Sequence, residues 1–153
     1  MTKSSYPYRN PEDAWSVTKE GIELKYPIFH HDPSIPDDPI IKSSIKEVIG
    51  DVDFWGWKGN EDDRIVDSTG KVFVAKFEET EGKILFVIPI TRQSGVFPGE
   101  VERTMEISEV KAIMVSGINT NEIRIKENIS ELKSKINSMT SIEEILRTCS
   151  KYF

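Results

Sequence analysis

The chain has 153 residues, of which 37% are apolar and 30% are charged, so its composition is that of a globular protein and not of a disordered one. Its formal net charge of −6 argues against binding to nucleic-acid phosphates, which requires a basic patch. We expect a single domain over residues 1–153, with residues 1–10 poorly ordered.

The first third of the chain predicts two helices with an extended segment between them. Proline at a first helical position, followed by two acids, indicates a short helix over residues 11–19. Alternating apolar and charged residues predict a strand over 22–29. A second helix is predicted over 39–49, with Asp38 as its cap and Gly50 as its stop.

The centre of the chain, from Asp51 to Pro89, predicts a meander of antiparallel strands. Apolar and charged residues alternate over 72–78 and apolar residues recur over 84–88, as half-buried strands require. Turn residues place tight connections at 67–70 and 81–82. The residues expected in the core of these strands are Phe77, Ile84, Phe86 and Ile88.

The last third predicts a loop over 91–99, a closing strand over 103–108 and then helices. The helices begin near Val110 and at caps assigned to Asn119 and Thr140. We therefore predict an α+β fold. It has a mostly antiparallel sheet of about five to six strands, N-terminal helices, and two to three C-terminal helices packed on the sheet.

Negative charge is concentrated in one window of the sequence. Between His31 and Gly70 there are ten acids and four bases, so this window alone accounts for a charge of −6. If residues 51–57 are extended, two tryptophans share a strand face with two aspartates. Aromatic residues are enriched at the energetic centres of interfaces, although the C-terminal helices could instead cover these rings. The predicted partner-binding residues are Asp51, Asp53, Trp55, Trp57, Glu61, Asp62 and Asp63.

Two places could carry chemistry. Both histidines, His30 and His31, precede Asp32, but adjacent strand residues point in opposite directions and cannot easily share a metal ion. Asp51 and Asp53 would share a strand face and could pair for acid-base work, but a solvated outer strand explains them more simply. We predict no catalytic, metal or cofactor-binding residue.

The sequence therefore predicts a non-enzymatic cytoplasmic protein-binding domain with an acidic, aromatic surface. A bacterial immunity protein that neutralises a basic toxin is the most concrete example. The N-terminus lacks the apolar core of a signal peptide, and the single cysteine, Cys149, cannot form an intrachain disulfide. No apolar run approaches the ~20 residues that span a bilayer. The alternatives are a small-molecule-binding domain, or a small hydrolase that uses His30 and His31 or the Asp51 and Asp53 pair.

Overall fold

A computed structural model describes four stretches of the chain, and parts of them as backbone only. The described stretches are residues 11–35, 37–51, 62–84 and 88–153. Backbone alone is described at residues 11, 49–51, 77–84 and 88–96.

Within these stretches the chain forms a five-stranded antiparallel sheet and five helices, which confirms the predicted α+β class. The strands are β1 (Ile28–His31), β2 (Ile40–Lys42), β3 (Arg64–Val66), β4 (Lys71–Ile84) and β5 (Ile88–Thr104). The helices are α1 (Pro11–Ser16), α2 (Ile45–Asp51), α3 (Ile107–Thr120), α4 (Ile129–Ser138) and α5 (Ile142–Cys149). The strand order is β2-β1-β3-β4-β5, with β2 and β5 at the two edges.

Helices pack on both faces of the sheet, because both sets of alternating side chains in its central strands are apolar. On one face, the strand residues pack with Trp15 of α1 and Val48 of α2. On the other face they pack with α3, α4 and α5. The strand residues of the first face are Ile28, Ile65, Phe73 and Phe97, and those of the second are Phe29, Ile41, Val66 and Val72.

The turn predicted at 67–70 connects β3 to β4. Gly70 has φ +88°, a conformation that side chains with a Cβ rarely adopt. Its carbonyl accepts a hydrogen bond of 2.6 Å from the N–H of Met105, which ties the turn to the segment between β5 and α3. The predicted turn is confirmed, and it also anchors the C-terminal helices to the sheet.

The second helix was predicted too long at its N-terminal end. Residues 40–42 form the edge strand β2, in which Ile41 is the partner of Phe29, and α2 begins only at Ile45. Consecutive isoleucines fit a strand as well as a helical stripe, and pairing with β1 decides between the two. The helix also continues through Gly50, so the prediction that Asp51 lies on a strand is wrong.

The central strands are longer than predicted. The connection placed at 81–82 lies inside β4, and the loop placed at 91–99 lies inside β5, because these two strands pair as far as Ile84 and Ile88. β5 has one extra residue at each of three register shifts, and the shift opposite 73–75 includes Gly99. The predicted burial of Phe77, Ile84, Phe86 and Ile88 concerns side chains outside those described.

Four predicted boundaries also shift. The strand predicted over 22–29 begins at Ile28, and the strand predicted over 103–108 ends at Thr104, since α3 begins at Ile107. The caps of the last two helices are Asn128 and Ser141, not Asn119 and Thr140. The side chain of Asn128 accepts a hydrogen bond from the N–H of Glu131, which fixes the start of α4.

Candidate interaction surface at the acidic end of the sheet

Antiparallel pairing brings two acidic loops of the chain to the same end of the sheet. His31, the last residue of β1, is the partner of Arg64, the first residue of β3. The loop that leaves β1 therefore lies beside the turn that enters β3. We call the acids of these two segments the acidic end, and its members are Asp32, Asp37, Asp38, Asp62 and Asp63.

Hydrogen bonds at the acidic end keep one carboxylate charged. The side chain of Asp32 accepts a hydrogen bond of 2.6 Å from the hydroxyl of Ser34 and one of 2.8 Å from its N–H. These two bonds lower the pKa of Asp32, and interactions with Asp63 and His31 lower it further. Asp32 therefore remains ionised well below neutral pH.

The acidic end also has ordered connections to the rest of the fold. The hydroxyl of Ser116, in α3, donates a hydrogen bond to the Asp37 carboxylate. The Arg64 guanidinium bonds with Glu102 of β5 and donates to the Asp63 carbonyl at 3.0 Å. These contacts hold both loops on the sheet and on the C-terminal helices.

The exposed surface of the acidic end is not purely charged. Asp38 and Asp62 are exposed, and Ile35, in the same loop as Asp38, exposes 56% of its surface. Ile40, at the start of the edge strand β2, exposes 46%. In a contact with another protein, the exposed isoleucines would supply apolar area and the carboxylates would belong to the polar rim.

The structure describes only part of the predicted binding set. Asp62 and Asp63 lie in the acidic end, whereas Asp51 ends α2. The predictions for the other four residues fall outside the described stretches, and these residues are Asp53, Trp55, Trp57 and Glu61. The sequence analysis did not connect Asp32, Asp37 and Asp38 with Asp62 and Asp63. Only the register of β1 with β3 places the two loops together.

The two histidines lie on opposite faces of the sheet, as the alternation of strand side chains requires. The His30 ring lies 5.7 Å from the Trp15 ring, measured between centroids, and the His31 ring lies 6.5 Å from that of Phe29. Trp15 belongs to the core on the α1 side and Phe29 to the core on the α3 side. The histidines therefore cannot act on one ligand.

Burial keeps both imidazoles neutral at pH 7. It lowers the pKa of His30 to about 4, and the charge of Lys42 acts in the same direction. Burial also lowers the pKa of His31; Asp32 opposes this shift and Arg103 adds to it. In the described part of the chain no hydrogen-bond partner reaches Nδ1 of His31, so no second group orients this ring as a base.

Two features of the described residues bear on the binding of a metal ion or a small ligand. No three metal-ligating side chains there lie close enough together to bind one ion. A depression at α5 is lined by residues of that helix and its cap alone, so it is an open groove. Its lining residues are Ser141, Glu143, Glu144, Arg147 and Thr148.

Comparisons with protein-family models, with curated proteins and with solved structures find no match to this chain. Among the described helices, none combines the length and the apolar character needed to cross a bilayer. A functional proposal therefore rests on the residues of the chain and their geometry.

Proposed function

We propose that this protein is a non-enzymatic, cytoplasmic protein-binding domain whose partner is a basic protein. Its most concrete form is an immunity protein that neutralises a bacterial toxin. The observation that carries the proposal is the pairing of His31 with Arg64, which gathers acids from both halves of the −6 window. The proposed contact surface is the acidic end together with Asp51, Asp53, Trp55, Trp57 and Glu61.

The electrostatic part of the proposal concerns how fast a partner associates. Several carboxylates on one end of a small domain create a local negative potential, which attracts a basic surface over about one Debye length. Such steering raises association rates more than it raises affinity. We assign Trp55 and Trp57 the complementary task of slowing dissociation, because buried aromatic anchors dominate most interfaces.

The histidines support a binding role rather than a catalytic one. Because His30 and His31 lie on opposite faces and are neutral at pH 7, we expect His30→Ala and His31→Ala variants that fold to bind the partner as the wild type does. Circular dichroism verifies folding, and equilibrium titration with the partner measures the dissociation constant. A folded variant that has lost the function would instead assign a histidine to the site.

The deciding experiment is association kinetics with the partner isolated from the native cell. We expect the association rate constant of the wild type to fall at least tenfold between 50 mM and 500 mM salt, because salt screens the acidic end. Asp62→Lys with Asp63→Lys should slow association at low salt and weaken its salt dependence. Trp57→Ala should leave the association rate nearly unchanged and raise the dissociation rate.

A matched control separates local steering from net charge. Glu20→Lys with Glu122→Lys makes the same change in net charge at two exposed positions elsewhere in the chain. This control should retain most of the wild-type association rate. If association ignores salt, or if the control and the Asp62 and Asp63 reversals behave alike, the acidic end is not the binding surface.

A further inference from the structure

The hairpin of β4 and β5 extends beyond the rest of the sheet. β3 pairs with β4 only as far as Val74, and the N–H of Ala75 makes one more hydrogen bond, of 3.3 Å, to the Asp63 carbonyl. The paired segments 75–84 and 88–98 continue past this point. We call them the arm. At ~3.3 Å per residue the arm is about 30 Å long.

The outer edge of β5 is protected against pairing with another strand. β5 carries one additional residue relative to β4 at each of three register shifts, opposite 72–73, 73–75 and 80–82. It also contains Pro89 and Pro98, which have no N–H to donate. Bulges and prolines are the devices with which proteins prevent edge-to-edge association.

The outer edge of β4 carries neither device. The segment from Lys76 to Ile84 contains no proline, and each extra residue of the hairpin lies in β5. Among the described strands, none pairs with this segment on the side away from β5. The segment starts next to Asp63, so it continues directly from the acidic end.

We propose that the outer edge of β4 from Lys76 to Ile84 accepts a β-strand from the basic partner, which extends the sheet. This inference rests on the proposed function, because it takes the same partner and says how it docks. Main-chain hydrogen bonds along the strand would supply affinity. Three glutamates within four residues would select lysine or arginine at the opposing positions. They are Glu78, Glu79 and Glu81.

The same glutamates disfavour two of the registers in which a second copy of this chain could pair with this edge. Antiparallel self-pairing centred on Glu79 places that residue opposite its own copy, and centring on Thr80 places Glu79 opposite Glu81. Like charges directly opposite each other destabilise a strand pair. A basic strand meets like charges only at Lys76 and Lys83, which flank the three glutamates, and the acids at 62 and 63 attract it to the same place.

Amide hydrogen exchange tests the edge directly. The probes are a nine-residue peptide of alternating lysine and threonine, and a control peptide of alternating glutamate and threonine. In the free protein, alternate amides over 76–84 should exchange quickly, because their N–H groups point away from β5. The lysine peptide should slow these amides at least tenfold, and the glutamate peptide should not slow them.

Charge reversal on β4 provides the matched variants. Glu79→Lys with Glu81→Lys changes two positions on one face of the strand, while Glu20→Lys with Glu122→Lys makes the same net change elsewhere. The β4 reversal should weaken binding of the lysine peptide at least tenfold and should make the glutamate peptide the better ligand. The control pair should preserve the preference for lysine. An inverted preference cannot arise from a loss of folding.

Three outcomes overturn the inference. Slow exchange at every amide of 76–84 in the free protein would mean that the chain itself occupies the edge. Sedimentation as a dimer, lost in the β4 reversal, would mean that a second copy occupies it. Failure of the lysine peptide to slow exchange at these amides would show that a basic strand does not bind this edge.

The native partner then separates this inference from the proposed function. If its association depends on salt and on Asp62 and Asp63 while the amides of 76–84 stay unprotected, the function stands and strand addition fails. If the lysine peptide protects the edge but no basic partner associates in a salt-dependent way, the edge assignment stands and the proposed function fails.

Discussion

At the residue scale, Asp67 is a fully buried carboxylate that holds the turn between β3 and β4 together. It accepts hydrogen bonds from the N–H of Thr69 at 2.9 Å, from the Thr69 hydroxyl at 2.6 Å and from the N–H of Lys71 at 3.1 Å. Removing the acceptor leaves these donors without their partner in a partly buried turn. We expect Asp67→Ala to lower the free energy of unfolding by about 3 kcal/mol, measured by urea denaturation.

Two further variants test the cause of that loss. Asp67→Asn retains one carbonyl acceptor and should lose less stability than Asp67→Ala. Asp32→Ala removes a similar local turn bond at the surface, where water replaces it, and should change stability little. Equal losses in Asp67→Ala and Asp32→Ala would show that burial of the Asp67 carboxylate is not the reason.

Gly117 reverses the usual preference of a helix for alanine. It lies in the last turn of α3, inside the helix, where Gly→Ala ordinarily stabilises by up to about 1 kcal/mol. A Cβ at this position would lie 2.9 Å from Cζ of Phe153 and 3.1 Å from Cδ of Pro39. We therefore expect Gly117→Ala to destabilise the protein in thermal unfolding, because the Phe153 ring must move.

A double-mutant cycle isolates the Phe153 contact. In a Phe153→Ala background the ring is absent, so Gly117→Ala should become neutral or stabilising. The same loss in both backgrounds would place the conflict at Pro39 instead. The sequence suggests no such role for Gly117, because a glycine in an apolar helix looks only like a weak point until the contact with residue 153 is known.

At the element scale, the start of α5 shows which of two neighbouring residues caps the helix. The sequence favours Thr140 as the cap, but the Ser141 hydroxyl accepts the N–H of Glu144 at 3.1 Å. Ser141→Ala should therefore cost about 1 kcal/mol of stability, whereas Thr140→Ala should cost close to nothing. Urea titrations of the two variants side by side give the comparison. A larger loss of stability in Thr140→Ala than in Ser141→Ala would show that Thr140 is the cap, as the sequence indicates.

The C-terminal helices, the β3–β4 turn and the alternation in β4 were predicted from the local sequence, whereas the bounds of the strands depend on pairing and were predicted less well. The apolar spacing in α3, α4 and α5 identifies these helices without any knowledge of their neighbours, and Asp67 with Gly70 identifies a turn. By contrast, the local sequence of residues 40–42 predicts a helix, and their pairing with β1 makes them a strand. The local sequence of residues 91–99 predicts a loop, and pairing with β4 makes this segment part of β5. Strand pairing overrides local preference in both cases.

The residues of the candidate site likewise fall into those that the sequence could assign to the surface and those that only strand pairing assigns. Asp62 and Asp63 are recognisable in sequence as an acidic segment, so they could be chosen as surface residues. Their neighbour Asp32 could not be assigned to the same surface, because thirty residues separate the two segments. Only the register of His31 with Arg64 brings them together.

At the scale of the whole molecule, His30 links stability to pH. Its pKa is about 4 in the folded protein and 6.5 in the reference state, so the unfolded chain binds the proton more strongly. Stability is therefore complete above pH 6.5 and decreases as the pH falls from 6.5 towards 4. The full effect is at most about 3–4 kcal/mol, at 1.36 kcal/mol per pKa unit.

Urea titrations at pH 7, 6 and 5 measure this dependence. His30→Phe, which retains an aromatic ring beside Trp15, and His30→Gln should both lose the part of the slope between pH 7 and pH 5 that His30 contributes, while His31, whose pKa burial also lowers, keeps its own part. Carboxylates contribute equally to the wild type and to these variants, so the difference belongs to His30. An unchanged slope in both variants would assign the pH dependence to other groups.

The helical layers on both faces of the sheet also bear on how the protein can change over evolution. Each substitution in those layers or in the central strands disturbs a packed core. The loop ends and the strand margins bear little of that packing, so they can diverge while the framework stays constant. Recognition of a new partner can therefore arise at the perimeter through few substitutions, without a compensating change in the interior.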